Sequence, residues 1–144
     1  MAPELARPLV FTNGVFDLLH VGHVACLEAA SRQGSCLVVA LNGDASASAL
    51  GKPGQRPFCT LQDRARVVAA LACVAWVTWF DEATPAALLA ALRPDVYVKG
   101  GDYDEALLPE TPLVRSWGGR VVIAPYQAGH STTRLAARLQ GVTP

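Results

Sequence analysis

The sequence predicts a single doubly wound α/β domain, a five-stranded parallel sheet with helices on both faces. Three observations carry this. Short apolar runs alternate with segments of helical spacing along nearly the whole chain. The strand-like runs are apolar throughout, which suits a parallel sheet covered on both sides. Glycine and polar residues gather where those runs end, and right-handed crossovers place such ends along one edge of the sheet.

In chain order, Pro8–Thr12 reads as the first strand, ending at Asn13-Gly14. Val21–Gln33 carries Val24, Leu27 and Ala30 at helical spacing, with Gly34 as a stop. Cys36–Leu41 is a continuous run of the kind a strand buried on both faces shows, and Asn42-Gly43 closes it. Ala45–Phe58 is rich in Ser, Gly and Pro and reads as a loop with a short helix at its start. Thr60-Leu-Gln-Asp63 has the form of a capping box, opening a helix to about Cys73. Ala75–Phe80 is the third strand. Thr84-Pro85 and Thr111-Pro112 each read as an N-cap followed by proline in the first helical position. Between those helices lies the strand Asp95–Lys99, ending in Gly100-Gly101. Gly118-Gly119 ends the second of them, Arg120–Pro125 is the last strand, and Ser131 caps a last helix, Thr132 to Gln140.

Composition narrows the function classes. The 144 residues are 51% hydrophobic and 17% charged, the reverse of a disordered chain. Twelve Lys and Arg balance twelve Asp and Glu, so there is no basic surplus for nucleic acid or an acidic membrane. The longest apolar run, Val67–Val77, has eleven residues where a membrane span needs about 20. Met1-Ala-Pro-Glu-Leu-Ala-Arg7 lacks the basic start and apolar core of a secretory signal. Cys26, Cys36, Cys59 and Cys73 form no C-x-x-C pair and read as reduced, mostly buried thiols of a cytoplasmic protein.

The chemistry gathers in the first strand-to-helix turn, Thr12-Asn-Gly-Val-Phe-Asp-Leu-Leu-His-Val-Gly-His23. It matches neither a dinucleotide fingerprint nor a P-loop. It does place two imidazoles, His20 and His23, at a helix N-terminus, whose free N–H groups favour an anion. Gly14 and Gly22 remove side chains where a phosphate would approach. Half a zinc site, or ordinary helix-start histidines, are the competing readings. Ser131, Thr132 and Thr133 bring three hydroxyls to a second helix start on the same sheet edge, and the two sites together suit a polyphosphate. Lys99-Gly100-Gly101-Asp102-Tyr103 lets backbone approach a base or ribose, with Asp102 as a ribose acceptor, a metal holder or a surface residue. Lys52 in the loop would add charge over the phosphates; Arg56, Arg64 and Arg66 are further cations, and Arg64 or Arg66 would otherwise face solvent.

These segments resemble the cytidylyltransferase-like nucleotidyltransferase superfamily, whose mark is H-x-G-H, here His20-Val-Gly-His23. Within it, the first turn, Leu41-Asn-Gly-Asp-Ala-Ser46, Arg93-Pro-Asp-Val-Tyr-Val-Lys-Gly-Gly-Asp-Tyr103 and Gly129-His-Ser-Thr-Thr133 look like the D-glycero-β-D-manno-heptose 1-phosphate adenylyltransferases. Glycerol-3-phosphate and ethanolamine-phosphate cytidylyltransferases are the rivals. They usually carry Arg just before the Gly-x-Ser-Thr-Thr turn, where this chain has Pro125-Tyr-Gln-Ala-Gly129. The chain departs from the heptose pattern at Gly51-Lys52-Pro-Gly-Gln-Arg56-Pro57, where Lys-Gly usually precedes the Arg-Pro.

The resemblance covers about residues 8–140 of a domain spanning 1–144 and implies a Rossmann-like fold of nucleotidyltransferase type. It implies transfer of AMP from ATP to a sugar 1-phosphate, with His20, His23 and Lys52 catalytic. Thr12, Asn13, Gly14, Phe16, Gly22, Lys99, Gly100, Gly101, Asp102, Ser131, Thr132 and Thr133 would meet the nucleotide, and Asp17, Arg56 and Arg64 the other substrate or its phosphates. Mg2+ would arrive on the ATP phosphates, with no direct side-chain ligand; Asp17 would position the loop or that Mg2+, or else cap the following turn. A separate sugar kinase would supply the acceptor, and a homodimer is open because relatives of this fold are often dimers. A nucleotide-binding module without turnover stands as the alternative of another class.

Overall fold

The computed structural model describes residues 4–50, 56–124 and 132–140. Five parallel strands, β1 (Leu9–Gly14), β2 (Cys36–Asn42), β3 (Trp76–Phe80), β4 (Val96–Gly100) and β5 (Arg120–Ala124), pair in the order β3-β2-β1-β4-β5. The helices are α1 (Val21–Ser31), α2 (Asp44–Ser48), α3 (Leu61–Ala69), α4 (Ala86–Leu92), α5 (Glu110–Arg115) and α6 (Thr132–Leu139), with a 3₁₀ turn at Glu105–Leu107.

Alternation along each strand divides the core. On one face Leu9, Phe11, Val38, Ala40 and Tyr97 pack with Leu89 of α4 and Val114 of α5. On the other Val10, Val39, Leu41 and Val98 pack with Leu27 of α1 and Val68 of α3. Each fully buried Leu or Val contributes about 1.5–3 kcal/mol. All seven residues of β2 are buried, as its unbroken apolar run predicts. β3 lies at the sheet edge and exposes Trp76 and Trp79.

The strand order reverses direction between β1 and β4. In open sheets of this kind the binding crevice lies beyond the carboxyl ends at that switch point, where the chain places the first turn and the Lys99–Asp102 segment. Close packing at the opposite end fixes the return from α1 to β2. A Cβ built on Gly34 would lie 2.5 Å from the Pro8 carbonyl oxygen and 2.7 Å from Val10 Cγ2. Gly34→Ala is therefore expected to lower stability by about 1–3 kcal/mol; an unchanged urea midpoint would contradict this packing.

Several boundaries differ from expectation. α3 stops at Ala69, not near Cys73: Ala70 and Leu71 bond back to Val67 and Val68 with three-residue spacing, tightening the last turn. The apolar run across that point carries no stop residue. Pro85 itself is the N-cap of α4, so the helix starts one residue late. α5 begins at Glu110, because Thr111 is buried and donates its hydroxyl to the Glu105 carbonyl of the 3₁₀ turn instead of capping. Among the cysteines only Cys36 is buried; Cys26, Cys59 and Cys73 are half-buried, and all four are free thiols.

Candidate active site

α1 begins in an unusual way. His20 is its N-cap, in extended backbone, and its Nδ1 accepts from the Gly22 N–H at 3.1 Å. The His23 Nδ1, three residues on, accepts from the His20 N–H at 3.2 Å. The two imidazoles complete a capping box in which rings replace the usual hydroxyl and carboxyl groups. They stack with centroids 3.9 Å apart, and the edge of Phe16 closes on His23 at 5.4 Å.

The tautomer follows from these bonds. An Nδ1 that accepts from backbone carries no proton, so each neutral ring holds its hydrogen on Nε2. The pair is thus a set of two fixed Nε2–H donors at the positive end of a helix. Burial, aided by the neighbouring His20 and opposed by Asp17, lowers His23 to about 4. His23 is neutral at pH 7 and still a donor.

This depression sets a pH dependence of stability. The unfolded chain titrates His23 near the ordinary 6.5, so between 6.5 and about 4 it binds the proton that the folded chain refuses. The contribution is complete above about pH 6.5 and declines as pH falls toward 4. The expected loss is on the order of 2–3 kcal/mol across that window, read as a fall in the urea midpoint. It should shrink in His23→Gln, and a slope identical to that of the parent would contradict the assignment.

The remaining sequence candidates divide into groups. Asn13, at the end of β1, accepts the Tyr97 hydroxyl hydrogen on Oδ1 at 2.6 Å, which leaves its amide N–H groups as the free end. Burial raises the Tyr97 hydroxyl pKa far above its ordinary value, keeping it a proton donor in this bond. Gly14 has no side chain where the Phe16 ring lies: a Cβ would meet Phe16 Cε2 at 3.0 Å. Behind Gly100 lies Cys26 Sγ, 2.9 Å from a built Cβ, so a side chain here would have to displace that thiol. Gly101 sits at φ 132°, a conformation open to glycine, and donates its N–H to the Ala124 carbonyl, joining β4 to β5. Asp102 is exposed, and the Lys99 ammonium lies 5.1 Å from the Tyr103 ring centroid. Arg56 reaches Thr133 Oγ1 near the start of α6 at 3.4 Å and lies over the Phe58 ring at 4.6 Å. Lys52 and Ser131 lie outside the described residues, as does the Thr132 side chain.

Two expectations need correction, and a third becomes specific. Thr12 does not offer its hydroxyl to a ligand: it is buried and donates to the Val98 carbonyl at 2.7 Å, stapling β1 to β4. Arg64 faces neither solvent nor substrate. It is 2% exposed and donates to the carbonyls of Cys59, Val15 and Asn42 and to Asp44 Oδ1. Asp17 ties the first turn to the segment before α3: its two oxygens accept from Phe58 N at 2.7 Å and Cys59 N at 3.0 Å. Sequence reasoning also passed over Tyr97 and Asp44. A hydroxyl in a central strand requires a partner, and that was the signal for Tyr97.

Among the described residues no three His, Cys, Asp or Glu converge as a metal site, and no helix is long and apolar enough to cross a membrane. With the crevice defined, comparison with known proteins decides the family. The sequence model of the cytidylyltransferase-like family matches residues 11–136. This chain belongs to the cytidylyltransferase-like family. Within that family it is 55% identical over 139 residues to the D-beta-D-heptose 1-phosphate adenylyltransferase of Bordetella bronchiseptica, covering 96% of this chain and 86% of that one. It is 57% identical over 130 residues to the bifunctional protein HldE of Streptomyces coelicolor, covering 90% of this chain and 28% of that protein. The chain thus spans little more than a quarter of such bifunctional relatives. Among solved structures, the lipopolysaccharide core biosynthesis protein of Thermoplasma volcanium superposes with a TM-score of 0.69 at 27% identity, over 83% of this chain and 95% of that one. The pantoate-beta-alanine ligase of Francisella tularensis shares the fold alone, at TM-score 0.55 and 14% identity, over 94% of this chain and 65% of that one.

Proposed function

We propose that this chain is a nucleotidyltransferase that moves AMP from ATP to D-glycero-β-D-manno-heptose 1-phosphate, yielding ADP-heptose and pyrophosphate, within one domain whose core spans about 8–140. The observation that carries the reading is the pair of Nε2–H donors fixed at the head of α1, in a chain 55% identical to a protein named for this reaction. A phosphate oxygen of the sugar attacks the α-phosphorus of ATP in line. The new O–P bond forms as the α–β bridging bond breaks, and pyrophosphate leaves. The attacking phosphate is already ionised at pH 7, so no general base is needed. Catalysis is positioning together with stabilisation of charge that grows on the α-phosphoryl oxygens.

In this reading His20 and His23 donate to the triphosphate and Gly22 lets it approach. Ser131, Thr132 and Thr133 hold the β- and γ-phosphates, with Lys52 and Arg56 adding positive charge. Gly100, Gly101 and Asp102 meet the adenosine, and Asn13 offers its amide to the phosphate or ribose. The donor set suits a metal carried by the substrate, because both oxygens of Asp17 already accept backbone N–H groups. Mg2+ on the triphosphate would screen its charge and ease departure of pyrophosphate. A kinase reaction supplies the sugar phosphate, and the free thiols fit a reducing cytoplasmic setting. A homodimer is part of the proposal only by analogy with relatives of the fold.

The deciding experiment is pyrophosphate release with Mg2+ and heptose 1-phosphate against ATP, CTP, GTP and UTP in turn. Release with ATP alone is expected. Release only with CTP would replace the adenylyl assignment, and release with none would overturn the reaction.

A further inference from the structure

Among the described residues Arg64 is the largest fully buried side chain, and its four acceptors come from three segments of the carboxyl edge. Nε donates to Cys59 O at 3.0 Å, one terminal nitrogen to Val15 O at 2.9 Å and Asn42 O at 2.8 Å, and the other to Asp44 Oδ1 at 2.8 Å. Asp17 holds Cys59 from the other side, accepting its N–H, and accepts the Phe58 N–H as well. A cation and an anion, both buried, therefore grip one residue, Cys59, by its carbonyl and its amide.

The gripped segment carries a cation of its own. The Phe58 ring, fixed by its backbone bond to Asp17, lies beneath the Arg56 guanidinium at 4.6 Å. Arg56 then reaches Thr133 Oγ1 at 3.4 Å. Its Nε is shielded from solvent and has no hydrogen-bond partner among the described residues. A guanidinium set against a helix-start hydroxyl with a donor unused suits an anion between them.

We propose that Arg64 and Asp17 are positioning residues that act through Phe58 to hold Arg56 against the head of α6, where it binds a phosphate of the nucleotide. This rests on the reading that the crevice takes a nucleoside triphosphate. Neither residue touches the ligand. Their removal tilts the platform and leaves Arg56 in solvent, where holding it costs side-chain entropy at each binding event.

Because the effect runs through Arg56, the test is a double-mutant cycle. ATP affinity is read by calorimetry with Mg2+, with no acceptor sugar present, so the result does not depend on which sugar phosphate is used. Arg64→Lys and Asp17→Asn should each weaken ATP binding by about 10-fold to 10²-fold, and Arg56→Ala by a similar factor. Phe58 is 42% exposed, so Phe58→Leu keeps the fold and should weaken binding less. In the Arg56→Ala background each of the other changes should weaken binding less than about 3-fold, because the group they position is gone. Factors that multiply, or an Arg56→Ala variant that binds ATP as the parent does, would overturn the proposal. If Arg64→Lys fails to fold, Phe58→Leu and Asp17→Asn complete the cycle in its place. A parent chain that binds ATP but shows no turnover defeats the proposed reaction and leaves this cycle fully readable. A parent that binds no ATP defeats both.

Discussion

His20→Ala and His23→Ala are each expected to lower kcat by roughly 10²–10³ while leaving the sheet folded. Removal of a preorganised donor to a developing oxyanion produces this scale of loss, and the two rings donate from one rigid stack. His20 has a second role as N-cap, whose loss costs about 1 kcal/mol. His20→Asn separates the roles, since its short side chain can accept the Gly22 N–H but has no ring to extend an N–H to the phosphate. It should therefore melt close to the parent and turn over as poorly as His20→Ala. The double variant should lose less than the product of the single losses, because groups that act as a unit are not additive. Turnover of His20→Asn within a few-fold of the parent would remove the imidazole from the chemistry.

Arg64→Met carries the largest expected loss of stability, about 3–5 kcal/mol. The methionine fills most of the volume but leaves three carbonyls facing apolar surroundings without their donor. For a domain of this size the melting temperature should fall by roughly 10–20 °C. Arg66, two positions on and exposed, provides the comparison: Arg66→Met should stay within about 0.5 kcal/mol of the parent. A loss under about 1 kcal/mol for Arg64→Met would mean that water replaces the guanidinium easily.

Arg64 also shows where the sequence could be read and where it could not. β1, β2 and β4 were legible because their apolar runs end in glycine or asparagine, and the run Cys36–Leu41 of β2 has no polar interruption at all. The first turn was legible because two histidines around a glycine at a helix start have few structural uses. Arg64 was misread because charge alone suggests solvent. Its spacing said otherwise, as it lies four residues before the buried Val68 and three after Leu61, on the stripe that faces the sheet. The helix end at Ala69 was hidden because the eleven apolar residues Val67–Val77 serve a turn and a strand as readily as a helix. Thr111-Pro112 copied a start signal whose hydroxyl the 3₁₀ turn had already engaged, and that turn depends on tertiary contact with no local signature. Thr12 failed as a ligand candidate for the same reason: a hydroxyl at a strand end reads alike whether it faces the crevice or the next strand.

The capping box built from two imidazoles has a consequence for how this site could decay. A serine at position 20 and a glutamate at position 23 would start α1 as well as the histidines do, with less bulk and no buried ring to desolvate. Helix formation alone therefore exerts no pull toward histidine, and drift in an idle copy would erase the rings long before it erased the helix. In the reading proposed above, the demand for two fixed Nε2–H donors is what would keep both rings at this helix start.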